Sequence, residues 1–340
     1  MTITEQVKHA IEQPFGKVLA DKMALTSYTN GSWSEPIVQP LQPLSLSPGA
    51  HVFHYASACF EGLKAHRFDD GSIHIFRLDA HLARLQQSAQ LLCLPLPDES
   101  VCRAMIVDLV RQCREWVPQH PGTLYIRPTL IGTEPSIGSA ATPSKDALFY
   151  VLVSPVGSYF KGGIKPLRLS IETTHWRTSP EFGLAKAGGN YAAALKMIQD
   201  AKNNLHVDQV LFAPGNDVQE TGAANFMLLN DRQLITKPLD TTFLHGVTRD
   251  SILTIARELG YEVREEAIPL DRLLAWVPNG EAVLTGTAAV LASVGTLIHK
   301  GEEIKVGNGE MGPNAARLRS ALVNIQNGTA PDHNGWLTAI

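Results

Sequence analysis

Long apolar runs are missing from this sequence: the strongest, residues 147–153, falls far short of the roughly 20 residues a membrane helix needs. Neither sign of charge prevails, since 29 Lys and Arg stand against 33 Asp and Glu for a formal net charge of −4. A phosphate-backbone binder needs a basic face, so nucleic acid is not an expected partner. Cysteine is scarce. Cys59, Cys93, Cys102 and Cys113 form no CxxC pair, which argues against a zinc or redox motif. A chain long enough to bury a core needs no disulfide staples, and reduced, partly buried thiols are expected. Histidines such as His51 and His54 lie close in sequence without Cys or carboxylate at ligand spacing, so no metal is expected. No GxSxG elbow offers a base for Ser-His-Asp chemistry. The N-terminus, MTITEQVKHAIEQP, lacks the basic start and apolar middle of a signal peptide. A cytoplasmic protein that crosses no membrane is the expectation.

What is present is a chain of 340 residues, 44% hydrophobic and 18% charged, enough for about two domains with cores of their own. KAHRF, Asp69-Asp70-Gly71 and SIHIFR read as a hairpin, because Asp-Gly favours the positive φ of tight turns. Leu82, Leu85, Ala89 and Leu92 recur at helical spacing over residues 79–92, and Pro95 and Pro97 end that helix. Residues 123–131 and 147–153 are β-branched or aromatic-rich and read as buried strands. Glycines and prolines cluster in SPVGSYFKGGIKP, the candidate linker. The expected organisation is α+β in two α/β lobes: a smaller N-terminal domain over 1–154, a linker over 155–166 and a larger C-terminal domain over 167–340. In the latter, residues 190–201 read as a helix, and DQVLFA and residues 225–229 as strands. Residues 247–259 read as a helix with Thr248 as its cap and Gly260 as its stop.

Four residues invite chemistry. Lys186 stands among alanines and glycines with no acidic neighbour in sequence. Desolvation there would favour the neutral amine that imine chemistry needs, though a solvated surface lysine fits the same local pattern. Glu220, in VQETGAANF, is either a carboxylate at a strand edge or the partner of a protonated ring nitrogen. Thr248 follows Gly246 at a helix N-terminus, whose free amides and dipole suit a phosphate. Thr287, in TGTAA, sets a second hydroxyl beside small residues. Taken singly, the last two read equally as a cap and a turn.

Taken together and in order, FEGLKA (60–65), YIRP (125–128), KAGGNY (186–191), GVTRDS (246–251) and GTAA (286–289) resemble the branched-chain aminotransferases, pyridoxal-phosphate enzymes of fold type IV. The similarity runs from about Phe15 to Trp336 and includes HNGWL near the end. The resemblance implies transfer of the amino group of L-leucine, L-isoleucine or L-valine to 2-oxoglutarate. Pyridoxal 5'-phosphate would be the cofactor, held covalently on Lys186, which would also serve as the base. Glu220 would pair with the pyridine nitrogen and Tyr191 with the phenolic oxygen. Arg77, Val247, Thr248 and Thr287 would hold the phosphate, and Leu244 would pack on the ring. Tyr55, Phe60, Tyr125 and Arg127 would surround the substrate. The amides of Ala288 and Ala289, with Tyr55 of the partner subunit, would take the α-carboxylate, and Arg127 the second carboxylate of glutamate or 2-oxoglutarate. The family builds its pocket across a subunit boundary, which implies a homodimer or a multiple of it.

The chain departs from the family pattern at two positions. Ala223 stands where some members carry a substrate-holding threonine. Ser139, in EPSIGS, replaces an apolar residue that usually lines the side-chain pocket from the neighbouring subunit, and is expected to loosen the preference for aliphatic side chains. One further motif, GNGEMG (307–312), fits GxGxxG, but Pro313 follows at once and no second strand pattern comes after it. A dinucleotide fingerprint must open a βαβ unit, so this is read as a glycine-rich turn and nicotinamide chemistry is set aside.

Overall fold

The computed structural model describes residues 2–158 and 165–340. Its elements run α1 Ile3–Glu12, β1 Lys22–Thr29, β2 Ser32–Trp33, β3 Ile37–Pro40, α2 His51–Tyr55, β4 Ala58–Phe60, β5 Leu63–Arg67, β6 Ile73–Phe76, α3 Leu78–Leu91, α4 Glu99–Gln112, β7 Thr123–Gly132 and β8 Ala147–Val156. Then come β9 Leu167–Glu172, α5 Gly188–Leu205, β10 Gln209–Phe212, β11 Asn225–Leu229, β12 Gln233–Thr236, α6 Val247–Glu258, β13 Glu262–Glu265, α7 Leu270–Trp276, β14 Glu281–Gly286, β15 Val290–His299, β16 Glu302–Lys305, α8 Pro313–Gln326 and β17 Leu337–Ala339. Strands and helices are mixed throughout, the α+β class expected from the sequence. No helix among the described residues is long and apolar enough to cross a membrane.

The contacts divide the chain into two compact units, Met1–Tyr159 with Ala185–Gly189 and Gln326–Ile340, and Phe160–Leu184 with Asn190–Ile325. Residues 185–189 and 326–340, expected in the C-terminal domain, therefore pack with the first unit. Two pairings explain it: β17 runs antiparallel to β6, and Ala187 bridges Cys59 at β4. Of the expected linker, Pro155 and Val156 complete β8, and residues 159–164 lie outside the described residues.

The first unit is built on a nine-stranded sheet in the order β17-β6-β5-β7-β8-β1-β2, with β3 on β1 and β4 on β7. Its partners are all antiparallel. The expected hairpin is β5-β6, turned at Gly71 with φ 84°. The expected helix is α3, whose Leu78, Leu82, Leu85 and Ala89 enter one core with Ile106 and Leu109 of α4. Successive side chains of a strand point to opposite faces. On β7, Leu124, Ile126 and Leu130 are buried in that core while Tyr125, Arg127 and Thr129 are half-buried on the other face. Alternation thus delivers two expected substrate residues, Tyr125 and Arg127, side by side.

The second unit holds an eight-stranded mixed sheet ordered β10-β9-β15-β14-β11-β12-β13, with β16 on β15. β9 pairs in parallel with β10 and β15, and β12 with β13. Its core joins Leu211, Phe226, Leu228 and Ile235 to Leu284, Val294 and Leu297. β11 is buried along its whole length, as expected of a strand covered on both faces. GNGEMG follows β16 as a turn, with φ 52° at Gly307 and 86° at Gly309, and leads into α8.

His66, on β5 of the first unit, is 5% exposed, and its Nε2 has no hydrogen-bond partner among the described residues. Burial, then the charges of Lys64, His120 and His74, pushes its pKa down to about 3. The folded value lies below the unfolded one, so the folded chain binds fewer protons between them. The contribution is fully present above about pH 6.5 and is lost as pH falls towards the folded value. At pH 5 the loss reaches about 2 kcal/mol for this one group. In urea unfolding at pH 7 and pH 5, His66→Gln should shrink the difference between the two pH values by about that amount. Equal acid sensitivity in variant and wild type would refute the assignment.

Candidate active site

Lys186 is half-buried and fixed at its main chain on both sides. Its N–H donates to the Ser88 hydroxyl at 2.9 Å, and its carbonyl accepts the Phe60 N–H at 3.1 Å. Its ammonium nitrogen lies 5.0 Å from the centroid of the Phe60 ring. The residues responsible share one face of α3, where His81, Arg84 and Ser88 follow at helical spacing. Glu61, next to Phe60, is 1% exposed and receives Arg84 Nε at 2.7 Å, Arg84 Nη2 at 2.9 Å and His81 Nδ1 at 2.6 Å. A carboxylate only accepts, so His81 carries its proton on Nδ1. Burial alone would raise the Glu61 carboxyl, but Arg84 and His81 hold it well below the usual carboxylate range. Burial pushes the His81 imidazole down against the pull of Glu61.

The expected substrate residues of this unit form a polar-aromatic group. The Arg127 guanidinium lies 4.4 Å from the Phe60 centroid and 5.3 Å from that of Tyr125, and its Nη2 donates to the Tyr125 hydroxyl at 2.9 Å. Its Nε is buried without a hydrogen-bond partner among the described residues. Gly62 makes the arrangement possible, because a Cβ there would meet the Tyr125 hydroxyl at 2.0 Å. Tyr55, at the end of α2, donates to the Ile137 carbonyl at 2.5 Å, and Ser139 hydrogen-bonds Ser136. Arg77 sits just before α3 in the left-handed region, at φ 56°. Its N–H donates to the Trp336 carbonyl at 2.7 Å and its guanidinium lies 5.0 Å from the Trp336 ring. The HNGWL segment thereby supports an expected phosphate ligand.

In the second unit Glu220 is 3% exposed. Asn225 Nδ2 donates to it at 3.0 Å and the Leu244 N–H at 3.2 Å. Arg177 Nε approaches to 2.7 Å with its N–H out of line, an ion pair more than an aligned hydrogen bond. Asn225 also donates to the Leu244 carbonyl at 2.8 Å, so one amide ties the carboxylate to the loop before α6. A Cβ on Gly246 would fall 1.9 Å from Asn225 Oδ1, which makes glycine obligatory there. α6 begins at Val247 with Gly246 in the cap position and no side-chain cap bond. The cap therefore falls before the threonine that the sequence reading had in that place, and Thr248 is a buried residue of the first turn. Tyr191 is half-buried in the first turn of α5.

Thr287, Ala288 and Ala289 form the half-buried turn between β14 and β15. Val290 closes it at φ 65°, an outlier for a β-branched residue that costs about 1–3 kcal/mol. Ala223, the position of the absent threonine, directs its N–H to the Thr221 hydroxyl at 3.5 Å.

Sequence reasoning missed Arg177, Asn225, Glu61, His81, Arg84 and Ser88. Glu61 stood inside a quoted motif, and α3 carried a readable helical spacing. No local pattern marked Arg177 or Asn225 as neighbours of Glu220.

The amino-transferase class IV family model matches residues 58–296. Branched-chain-amino-acid aminotransferase 2 of Bacillus subtilis (strain 168) is 37% identical over 335 residues, which cover 96% of this chain and 92% of that protein. The probable branched-chain-amino-acid aminotransferase of Streptomyces coelicolor is 40% identical, over 95% of this chain and 91% of its own. The crystal structure of the T.th. branched-chain amino acid aminotransferase with pyridoxamine 5'-phosphate superposes with a TM-score of 0.76 at 27% identity, over 92% of this chain and 97% of that one. The chain belongs to the class IV aminotransferases.

Ser88→Ala leaves the part-buried N–H of Lys186 without its acceptor, which should destabilise the fold by about 1 kcal/mol. Amide hydrogen exchange at Lys186 should accelerate with it; unchanged stability and exchange would mean that Ser88 does not hold the lysine.

Proposed function

We propose that the protein is a branched-chain-amino-acid transaminase that passes the amino group of L-leucine, L-isoleucine or L-valine to 2-oxoglutarate. Its cofactor is pyridoxal 5'-phosphate, held on Lys186. The observation that carries the reading is the pinned main chain of Lys186, with Ser88 and Phe60 binding its two peptide groups. A lysine that must hold a cofactor and then move a proton gains from such preorganisation. Each unit holds part of the donor set the cofactor would need. The first has an amine at Lys186 for its carbonyl and Arg77 for its phosphate. The second has the buried Glu220 carboxylate for its ring nitrogen and a helix start without a side-chain cap for its phosphate.

When bound, the cofactor supplies an electron sink for the charge that develops at the substrate Cα. Lys186 Nζ would hold the cofactor and, once its amine is freed, would serve as the base that takes up and moves the substrate Cα proton. Glu220, oriented by Arg177, Asn225 and the Leu244 N–H, would keep the ring nitrogen protonated, and Tyr191 would bind the phenolic oxygen. Leu244 packs against the ring. Arg77, the amides of Val247 and Thr248, and Thr287 would hold the phosphate, a task that suits the positive dipole end of α6.

On the substrate side, Phe60 and Tyr125 would surround the side chain, and the Ala288 and Ala289 amides, with Tyr55 of the partner subunit, would take the α-carboxylate. Arg127 takes the second carboxylate of glutamate or 2-oxoglutarate. Its Nε, unpaired among the described residues, supports that role, since a donor is available there. Ser139 adds a hydroxyl to the side-chain pocket and relaxes its preference for aliphatic groups. The reading includes a homodimer or a multiple of it, and Phe53 and Ile137, 61% and 72% exposed, are apolar groups a partner copy could cover. It also includes a cytoplasmic location and no nucleic-acid or membrane partner.

The test is the visible spectrum of the purified holoenzyme before and after L-leucine is added without a keto acid. A yellow band that bleaches with L-leucine supports cofactor, half-reaction and substrate handedness together. Bleaching by D-alanine alone would overturn the substrate class, and no band after pyridoxal phosphate is supplied would overturn the Lys186 assignment. Lys186→Ala should abolish both band and turnover, while Arg77→Ala should chiefly weaken cofactor retention.

A further inference from the structure

Val290 and Arg319 are joined by a contact that the reaction as described does not use. Val290 occupies the left-handed region at φ 65°, immediately after the Thr287-Ala288-Ala289 turn. Glycine is the default residue for such a position, and a β-branched side chain is among the worst suited. Left alone, this valine would relax to an extended conformation and rotate the adjoining peptide groups. The carbonyls on either side of it are tied to one group: Arg319 Nη1 donates to Ala289 O at 2.7 Å and to Leu291 O at 2.7 Å. Leu291 is fully buried in β15, and Arg319 stands on α8. One end of the tie is therefore anchored in the core and the other holds the end of the turn.

We propose that Arg319 is a positioning residue, which clamps the carbonyls of Ala289 and Leu291 and so holds Val290 in its strained conformation and the Thr287–Ala289 turn in its ligand-binding one. The clamp rests on the reading above that the Ala288 and Ala289 amides receive the α-carboxylate. It also accounts for a valine where glycine would be easier. A glycine turn would visit many conformations, whereas a stiff residue forced into one by an arginine presents its amides in a single direction. Arginine suits the task better than lysine, because its planar group stays charged and fixes the direction of its donors. Burial lowers the Arg319 pKa, but it remains a cation at any working pH.

The experiment compares wild type, Arg319→Met, Val290→Gly and the double variant, each as holoenzyme and after removal of cofactor. Hydrogen exchange is followed in the peptide covering residues 286–291, and kcat and KM are measured for L-leucine. Arg319→Met should speed exchange of that peptide about tenfold in both forms. It should raise KM about tenfold with a smaller change in kcat, the pattern of lost substrate binding. Val290→Gly added to Arg319→Met should recover part of both effects, because glycine adopts φ near 65° without a clamp but is not confined to it. A merely structural role in seating α8 would lower thermal stability without recovery by Val290→Gly. The proposal fails if exchange in Arg319→Met matches wild type, or if the glycine recovers nothing. If exchange rises and is recovered while KM never moves, the clamp stands and the assignment of the turn to the carboxylate falls.

Discussion

The placement of Lys186 in the first unit depends on the two hydrogen bonds that fix its peptide groups. Residues 185–189 are a short stretch, joined to the second unit on both sides in sequence, yet they pack with the first. What holds them is the Ser88 hydroxyl from α3 and the Phe60 N–H from β4, with the Cys59–Ala187 bridge between. Those anchors need support of their own. Glu61 supplies it by binding Arg84 and His81, residues of the same helix as Ser88. A buried ion pair of this kind is weak evidence for net stability, since desolvation consumes much of its attraction. It does fix register. With Glu61 bound to α3, the strand end that offers the Phe60 N–H cannot slide along the helix that offers Ser88.

The second unit solves a similar problem with a different device. Glu220 is one buried carboxylate faced by Arg177, Asn225 and a main-chain N–H. Asn225 also binds the Leu244 carbonyl, and Gly246 packs so closely on it that no side chain fits. Carboxylate, amide and helix start are therefore set as one block. The start of α6 and the orientation of Glu220 cannot vary independently, which is what a ligand contacting both would require.

Legibility in the sequence followed the range of the interactions. The β-branched and aromatic run of β7, the Asp-Gly turn and the helical stripe of α3 are local, and each element is found where the sequence placed it. GNGEMG could be dismissed locally too, because Pro313 opens a helix without a βαβ unit. The Thr248 cap failed for a reason outside its own segment: the local residue types allowed it, but Asn225, distant in sequence, forces glycine at 246 and the cap falls there. Arg177 and Asn225 gave no signal because what identifies them is proximity to Glu220, and no spacing rule connects them. The regrouping of residues 185–189 and 326–340 was hidden for the same reason, since β17 is too short to announce its pairing with β6. Motif order supplied the expected site residues, which periodicity could not.

A common logic underlies these parts. The groups expected to do chemistry are held by polar contacts to their main chains or to their charges, not by close-packed apolar neighbours. Apolar burial is strong but indifferent to a rotation of a few tens of degrees, whereas a hydrogen bond weakens steeply with misalignment. Lys186, Glu220 and the Thr287–Ala289 turn each need direction more than they need stability. Each is accordingly fixed by donors and acceptors that sit on well-packed elements: Ser88 on α3, Asn225 on β11, Arg319 on α8. The apolar cores make those platforms rigid, and the hydrogen bonds convert rigidity into aim. Strain at Val290 fits that division, because a rigid platform with an arginine to spare can hold a conformation that the valine itself disfavours.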